Sequence, residues 1–142
     1  MKVKDIMTKS VVSLNSNDTV ERAANLMSEH NIGAVPVCES NNVIGIITDR
    51  DIALRSVAEG KDCKNQVVRD IMSSNPVFGT PDMDVQDASR IMSERQIRRL
   101  PIVENKNLVG VISLGDIAVD PKLNQQAEQA LSSISEPSTP EL

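Results

Sequence analysis

Two short stretches hold the residue types best suited to touching a ligand. They are Gly45-Ile46-Ile47-Thr48-Asp49-Arg50-Asp51 and Gly110-Val111-Ile112-Ser113-Leu114-Gly115-Asp116. Each is a glycine, an apolar pair, a hydroxyl residue, two variable residues and an aspartate, and the second begins 65 positions after the first. A hydroxyl followed three residues later by an acid is the pattern of a capping box. The hydroxyl accepts a bond from the third amide of a helix, and the acid reaches back to the cap amide. Such a cap contributes on the order of 1 kcal/mol. The same spacing also serves a ligand. It sets side chains at the end of a buried strand beside helix-terminal amides, where phosphate-bearing molecules bind. A carboxylate only accepts hydrogen bonds and has two oxygens, which suits the paired hydroxyls of a ribose. A neighbouring Thr48 or Ser113 hydroxyl can then bond a ribose or phosphate oxygen. On spacing alone, both readings stand.

A carboxylate repels phosphate, so a phosphorylated ligand requires cations nearby. The second copy supplies them in Ile97-Arg98-Arg99-Leu100-Pro101, where the first has Ile32-Gly33-Ala34-Val35-Pro36. An arginine pair before an apolar strand is well suited to phosphate. It is equally the composition of a solvated pair balancing Glu94 and the acids at helix starts. The contrast favours function: Arg98 and Arg99 supply charge in one copy, and Gly33 and Ala34 leave room for an apolar base in the other.

These motifs belong to a longer repeat. Shifted by 65, the sequence overlays on itself without a gap from Val3 to Ala53, with 19 of 51 positions identical. A repeat fixes the architecture before anything else, and a unit of this size is marginal alone. The two copies are therefore expected to pack as one body. Within a copy, 11–14 reads as a short strand. Asp18 or Thr19 caps a helix in which Val20, Ala23, Ala24 and Met27 recur at helical spacing. Residues 34–38 form a strand in which Pro36 suits an edge or a strand start. Asn41-Asn42 makes a turn, 43–47 reads as a strand buried on both faces, and a second helix follows Thr48. The fold class is thus α/β (α+β), with the order β-α-β-β-α in each copy. The domain reading is 1–60 for the first repeat, 61–120 for the second, and 121–142 for a polar helix over 123–134 followed by an unstructured tail.

Composition removes other classes. Of 142 residues, 39% are hydrophobic, yet Phe78 is the only aromatic. A flat ligand would have to be sandwiched by aliphatic side chains. The net charge is −5, of which residues 120–142 carry −3, a poor footprint for nucleic acid or anionic lipid. No run of about 18 apolar residues predicts a membrane span, and the opening MKVKDIM has no signal-peptide stretch. A cytoplasmic protein is the expectation. Cys38 and Cys63 match no zinc or redox spacing, so two free thiols are expected, with Cys38 in a strand. The sole histidine, His30, has Arg95 as its counterpart and reads as a surface residue. No nucleophile–base set can be assembled, so the chain is not read as an enzyme. Asp82, Asp84 and Asp87 faintly suggest calcium but lack the spaced glycine and terminal glutamate of a calcium loop. Acids at a helix start explain them better.

Several signals recur in order in both copies: VKDIM and VRDIM, Thr19-Val20-x-x-Ala23 and Asp84-Val85-x-x-Ala88, the segments leading to Pro36 and Pro101, and the two aspartate motifs. Over residues 1–118 the chain resembles the family of cystathionine-β-synthase-type (CBS) domains in a tandem pair, often called a Bateman module. The resemblance implies two β-α-β-β-α units packed pseudo-symmetrically through their sheets. It implies clefts between them that bind AMP, ADP, ATP or S-adenosylmethionine, with no cofactor required. By resemblance the aspartate holds the ribose, and each cleft takes its adenine-contacting strand from the other unit. Carried over, Thr48 and Asp51 would work with 75–78, which includes Val77, and Ser113 and Asp116 with 10–13, which includes Val12. Arg98 and Arg99 would face phosphate. Gly33 and Ala34 depart from the basic pattern, which puts phosphate binding at that cleft in doubt. The resemblance also implies a homodimer arranged as a disc of four units, acting as a sensor or on a protein target in trans. The alternative is a structural dimerisation or adaptor module with vestigial clefts.

Overall fold

The helical recurrence in the first copy becomes α1, Val20–His30, which buries Val20, Ala23, Leu26 and Met27. Ala24, expected on that face, is exposed, and Leu26 turns inward instead. Thr19 is the cap, its Oγ1 accepting from the Arg22 amide at 3.1 Å. The computed structural model describes residues 1–74 and 76–137. The expected unstructured tail over 135–142 therefore lies outside the described residues from 138 onward.

After α1 the chain turns through Asn31, whose positive φ of 53° ends the helix in the left-handed conformation. It enters β2, Ala34–Glu39, then β3, Asn42–Thr48, which pairs with β2 antiparallel. The connection is two residues long. Ser40 and Asn41 both have positive φ, 50° and 68°, as a type I′ hairpin turn requires. The turn thus falls one residue earlier than Asn41-Asn42, and Asn42 instead pairs with Glu39. The strand expected at 11–14 is only Leu14–Asn15, β1, parallel to β2 at Val37 and Cys38. Pro36 precedes those pairings, so its missing amide falls where β1 does not reach. β3 does not bury both faces fully. Its residues alternate between buried and half-buried from Val43 to Thr48. Beyond Thr48 a short helix, α2 (Asp49–Ile52), opens into a π turn over Ala53–Val57. The linker then reaches Gly60 at φ 68°.

The second copy repeats this plan. It has α3 (Val85–Arg95), β5 (Arg99–Glu104), β6 (Asn107–Ser113) and α4 (Leu114–Ala118). Gln96 ends α3 at φ 54°, and Asn105-Lys106 make the two-residue turn at φ 51° and 69°. Gly79 bridges Ile102 in parallel, at the position equivalent to Leu14 with Val37.

Contacts divide the chain into two compact units whose membership crosses between the repeats. One unit, here called the Asp51 unit, comprises Ser10–Val77 with Asn105–Leu108. The other, the Asp116 unit, comprises Met1–Lys9, Phe78–Glu104 and the chain from Val109 onward. The opening of each repeat is thus counted with the body of the other. The reason is backbone pairing. In the Asp116 unit, Lys2 bridges Asp84, Thr8 bridges Val111, and the Val3 amide donates to Met83 O at 2.9 Å. In the Asp51 unit, Val67 bridges Thr19, and the Val68 amide donates to Asp18 O at 2.8 Å. There, β4 (Ser73–Ser74) pairs with β3 at Ile46 and Gly45. Val3 and Val68 are fully buried, each contributing about 1.5–3 kcal/mol if burial is complete.

The close crossing explains the glycine that begins each motif. A Cβ on Gly45 would collide with the Met72 Sδ and lie 2.9 Å from Ser73 O. A Cβ on Gly110 would lie 2.6 Å from Met7 Sδ and 3.0 Å from Thr8 O. The two clashes occur at equivalent positions of the repeat. Neither glycine is there for a positive φ; each makes room for a strand lying across it.

The Asp51 unit is built on Leu14, Val20, Ala23, Leu26, Met27, Val35, Val37, Ile47, Val68 and Ile71. The Asp116 unit carries one addition, α5 (Asn124–Ser135), which packs on α3 and α4 and buries Ala127 and Ala130. The expected polar helix at 123–134 is therefore docked, not free. The contact is polar as well as apolar. Ser89, equivalent to the exposed Ala24, is buried and donates to Gln126 O at 3.1 Å. Among the described residues, no helix is long and apolar enough to cross a membrane.

These packing relations set opposite expectations for glycines in one motif. Gly45→Ala and Gly110→Ala should each lower stability in urea unfolding by about 1–3 kcal/mol, the usual cost of overpacking. Gly115 lies in α4 with only Ser113 Oγ near its Cβ position, at 3.5 Å. Gly115→Ala should therefore be neutral or raise stability by up to about 1 kcal/mol. Equal effects at all three positions would refute the crossing-strand explanation.

Candidate functional site

Both capping boxes form. The Asp51 amide donates to Thr48 Oγ1 at 3.1 Å, and the Thr48 amide donates to Asp51 Oδ2 at 3.0 Å. In the second copy the Asp116 amide donates to Ser113 Oγ at 3.0 Å, and the Ser113 amide to Asp116 Oδ2 at 2.9 Å. The cap uses the same oxygen of each carboxylate. The other oxygen, Oδ1, has no hydrogen-bond partner among the described residues and is not sealed from solvent. Each threonine or serine oxygen accepts one bond in the cap, which leaves its own proton free to be donated. Capping and ligand binding are therefore compatible uses of one arrangement. Asp51 is the more enclosed carboxylate, with 9% of its surface exposed, and Asp116 is half-buried.

The starts of the hairpins are tied to these caps. In the Asp51 unit the Asp49 amide donates to Gly33 O at 3.0 Å, and Ala34 pairs with Thr48. In the Asp116 unit the Leu114 amide donates to Arg98 O at 2.8 Å, and β5 and β6 are hydrogen-bonded neighbours. Gly33 and Ala34 are thereby brought to Thr48 and Asp51, and Arg98 and Arg99 to Ser113 and Asp116. Both arginines are exposed, and no ion pair among the described residues uses either. Glu94 does not neutralise them directly, so their charge faces solvent.

The helix amides are less open than the spacing suggested. In the Asp51 unit Asp49 gives its amide to Gly33 O, and Asp51 gives its own to Thr48 Oγ1. The Arg50 amide goes to Asp49 Oδ1 at 2.8 Å. Asp49 was not among the residues singled out from sequence. The signal was present: an acid stands where the second copy has Leu114.

Val12 and Val77 are both half-buried and both belong to the Asp51 unit, Val12 packing against its core. Of the segment 75–78, Asn75 lies outside the described residues, and Phe78 is counted with the Asp116 unit. The acids that hinted at calcium are occupied otherwise. Asp84 pairs with Lys2 at 3.6 Å, Asp82 with Lys4 at 3.0 Å and Asp87 with Arg90 at 2.7 Å. The bond to Asp82 raises the Lys4 ammonium above its ordinary pKa. Among the described residues no group of three His, Cys, Asp or Glu side chains could hold a metal ion. His30 is the exposed last residue of α1.

Comparison with known proteins gives a consistent picture. The family model described as CBS domain matches residues 3–57 and 68–119. The chain is 49% identical over 133 residues to the CBS domain-containing protein YhcV of Bacillus subtilis, covering 94% of each. It is 32% identical over 116 residues to Hypoxic response protein 1 of Mycobacterium tuberculosis, covering 81% of each. Among solved structures, it resembles the CBS domain pair of protein MJ0100 in complex with 5′-methylthioadenosine and S-adenosyl-L-methionine. That likeness has a TM-score of 0.74 and 31% identity, and it covers 83% of this chain and 93% of the other.

The cysteines offer a check on burial in the Asp51 unit. Both are free, with Cys38 buried in β2 and Cys63 half-buried. Burial pushes the Cys38 thiol up, partly offset by a hydrogen bond with Ser13. Alkylation proceeds through the thiolate. In the native chain at mildly alkaline pH, iodoacetamide should label Cys63 first and Cys38 at least about tenfold more slowly. The difference should vanish in denaturant. Mass spectrometry of the labelled chain reads both rates, and equal native rates would contradict the placement of Cys38.

Proposed function

The chain belongs to the CBS-domain family as a tandem pair, and from that premise we propose that it is a non-enzymatic sensor of adenosine-containing ligands. The observation that carries the reading is the uncommitted Oδ1 of Asp51 and Asp116. Each carboxylate is fixed in place by its cap and keeps one oxygen for an incoming donor. A ribose hydroxyl supplies that donor. Thr48 and Ser113 keep a proton for a ribose or phosphate oxygen. Arg98 and Arg99 stand beside Ser113 with no acidic partner among the described residues, which suits phosphate. AMP, ADP, ATP and S-adenosylmethionine are the candidate ligands, with Val12 and Val77 as aliphatic contacts for the adenine. The adenosyl ligands of the MJ0100 pair support this class.

The active form in this reading is a cytoplasmic homodimer that signals to a protein target. Leu54 and Val119 occupy the same position of the two repeats, just past the short helices. They are exposed to 49% and 82%, and Val57 to 71%. A second copy would cover these apolar side chains. The competing reading, a dimerisation module with vestigial clefts, draws on the completeness of the two caps.

Two measurements separate the readings. A ligand at about 100 times its Kd adds roughly 2.7 kcal/mol to stability, so at least one of AMP, ADP, ATP and S-adenosylmethionine should raise the melting temperature clearly. Asp51→Ala and Asp116→Ala should each lose binding at one site in calorimetry, and each should also lose about 1 kcal/mol of cap stability. Loss of stability with an unaltered ligand response would support the vestigial module. In sedimentation, Leu54→Glu with Val119→Glu should shift the mass from two chains to one. An unshifted dimer would place its interface elsewhere.

A further inference from the structure

The two aspartate sites differ in charged residues at four positions, three of which make the Asp51 site the more negative while one, Arg50 in place of Gly115, opposes them. Gly33, Ala34 and Asp49 in the Asp51 unit stand where Arg98, Arg99 and Leu114 stand in the Asp116 unit. The Asp49 side chain lies against the start of the hairpin: a Cβ on Gly33 would be 3.0 Å from Asp49 Oδ2. Its Oδ1 accepts from the Arg50 amide at 2.8 Å. The exposed carboxylate is thus held by its own helix and lies against Gly33. Leu114, in the equivalent place, has no oxygen to offer. The exposed Arg50 side chain enters no ion pair among the described residues, so it does not neutralise the Asp49 carboxylate directly.

Resting on the adenosyl-sensor reading, we infer that Asp49 sets the charge preference of the Asp51 site. It is a built-in anion that turns phosphorylated ligands away and leaves the site to adenosyl ligands whose 5′ group is neutral or cationic. The Asp116 site, with its arginine pair and no such carboxylate, takes the phosphorylated ones. The chain then reads two chemically different adenosyl ligands at once rather than two copies of one. Repulsion between like charges at close range needs no contact from Asp49 to the ribose, so its effect falls on phosphate alone.

The test titrates AMP and 5′-methylthioadenosine, which share a nucleoside and differ in 5′ charge, into the full chain by calorimetry. The unmodified chain should bind one AMP tightly, then one 5′-methylthioadenosine in the presence of saturating AMP. In Asp49→Asn, and independently in Asp49→Leu, a second AMP should bind at least about tenfold more tightly than in the unmodified chain. Melting curves confirm that each variant is folded. An unaltered second-site affinity for AMP in both variants overturns the role of Asp49, as does tight uptake of two AMP by the unmodified chain. If the unmodified chain binds neither nucleoside, the sensor reading itself falls.

Discussion

Everything at the two candidate sites depends on a close approach of backbone to backbone. The segment that opens one repeat lies across the last strand of the other, over a glycine that has no side chain to keep it away. The crossing anchors β3 and β6 just before they deliver Thr48 and Ser113 to their caps. With each strand pinned by Met72 or Met7, the following turn begins at a fixed point. The hydroxyl and the aspartate then meet in a reciprocal pair of hydrogen bonds. The motif is therefore one device read from end to end. Its glycine admits the crossing strand, the second residue of its apolar pair (Ile47 or Ile112) enters the core, and its polar ends form the cap that positions a carboxylate.

Much of this was legible in the sequence. The repeat offset, the β-α-β-β-α order, the caps at Thr48 and Ser113, and the contrast between Gly33-Ala34 and Arg98-Arg99 all follow from residue types and spacing. What escaped is non-local or depends on a single residue of register. The exchange of the opening segments could not be read from VKDIM or VRDIM, because the pairing partners lie between 27 and 103 positions away in the chain. The turn at Ser40-Asn41 was displaced by one position because Asn41 and Asn42 are equally good turn formers, and only pairing of Asn42 with Glu39 decides between them. Ala24 was placed inward because alanine fits either face. The docking of α5 explains why its counterpart Ser89 is covered while Ala24 is not.

The asymmetry between the sites has a simple origin. The backbone is repeated closely, down to paired bridges and matching left-handed caps. Core positions differ only among apolar types and glycine, as at Val35 and Leu100 or Val37 and Ile102, whereas side chains pointing away from the core are free to differ in charge. Identical scaffolds carry an arginine pair in one case and an added carboxylate in the other. A duplicated fold thereby keeps its geometry while its two sites drift in charge.

The exchanged opening segments bear on how such a molecule can arise. Cut at the start of each repeat, a polypeptide of one repeat length lacks the strand that crosses its own body, although the continuous stretch Ser10–Val77 contains both. Two separate chains of that length, each lending its leading segment to the other, would satisfy every pairing described in the two units. A swapped dimer of half-length chains is thus a topologically sufficient ancestor, and fusing its two genes head to tail would add only the linker through Gly60.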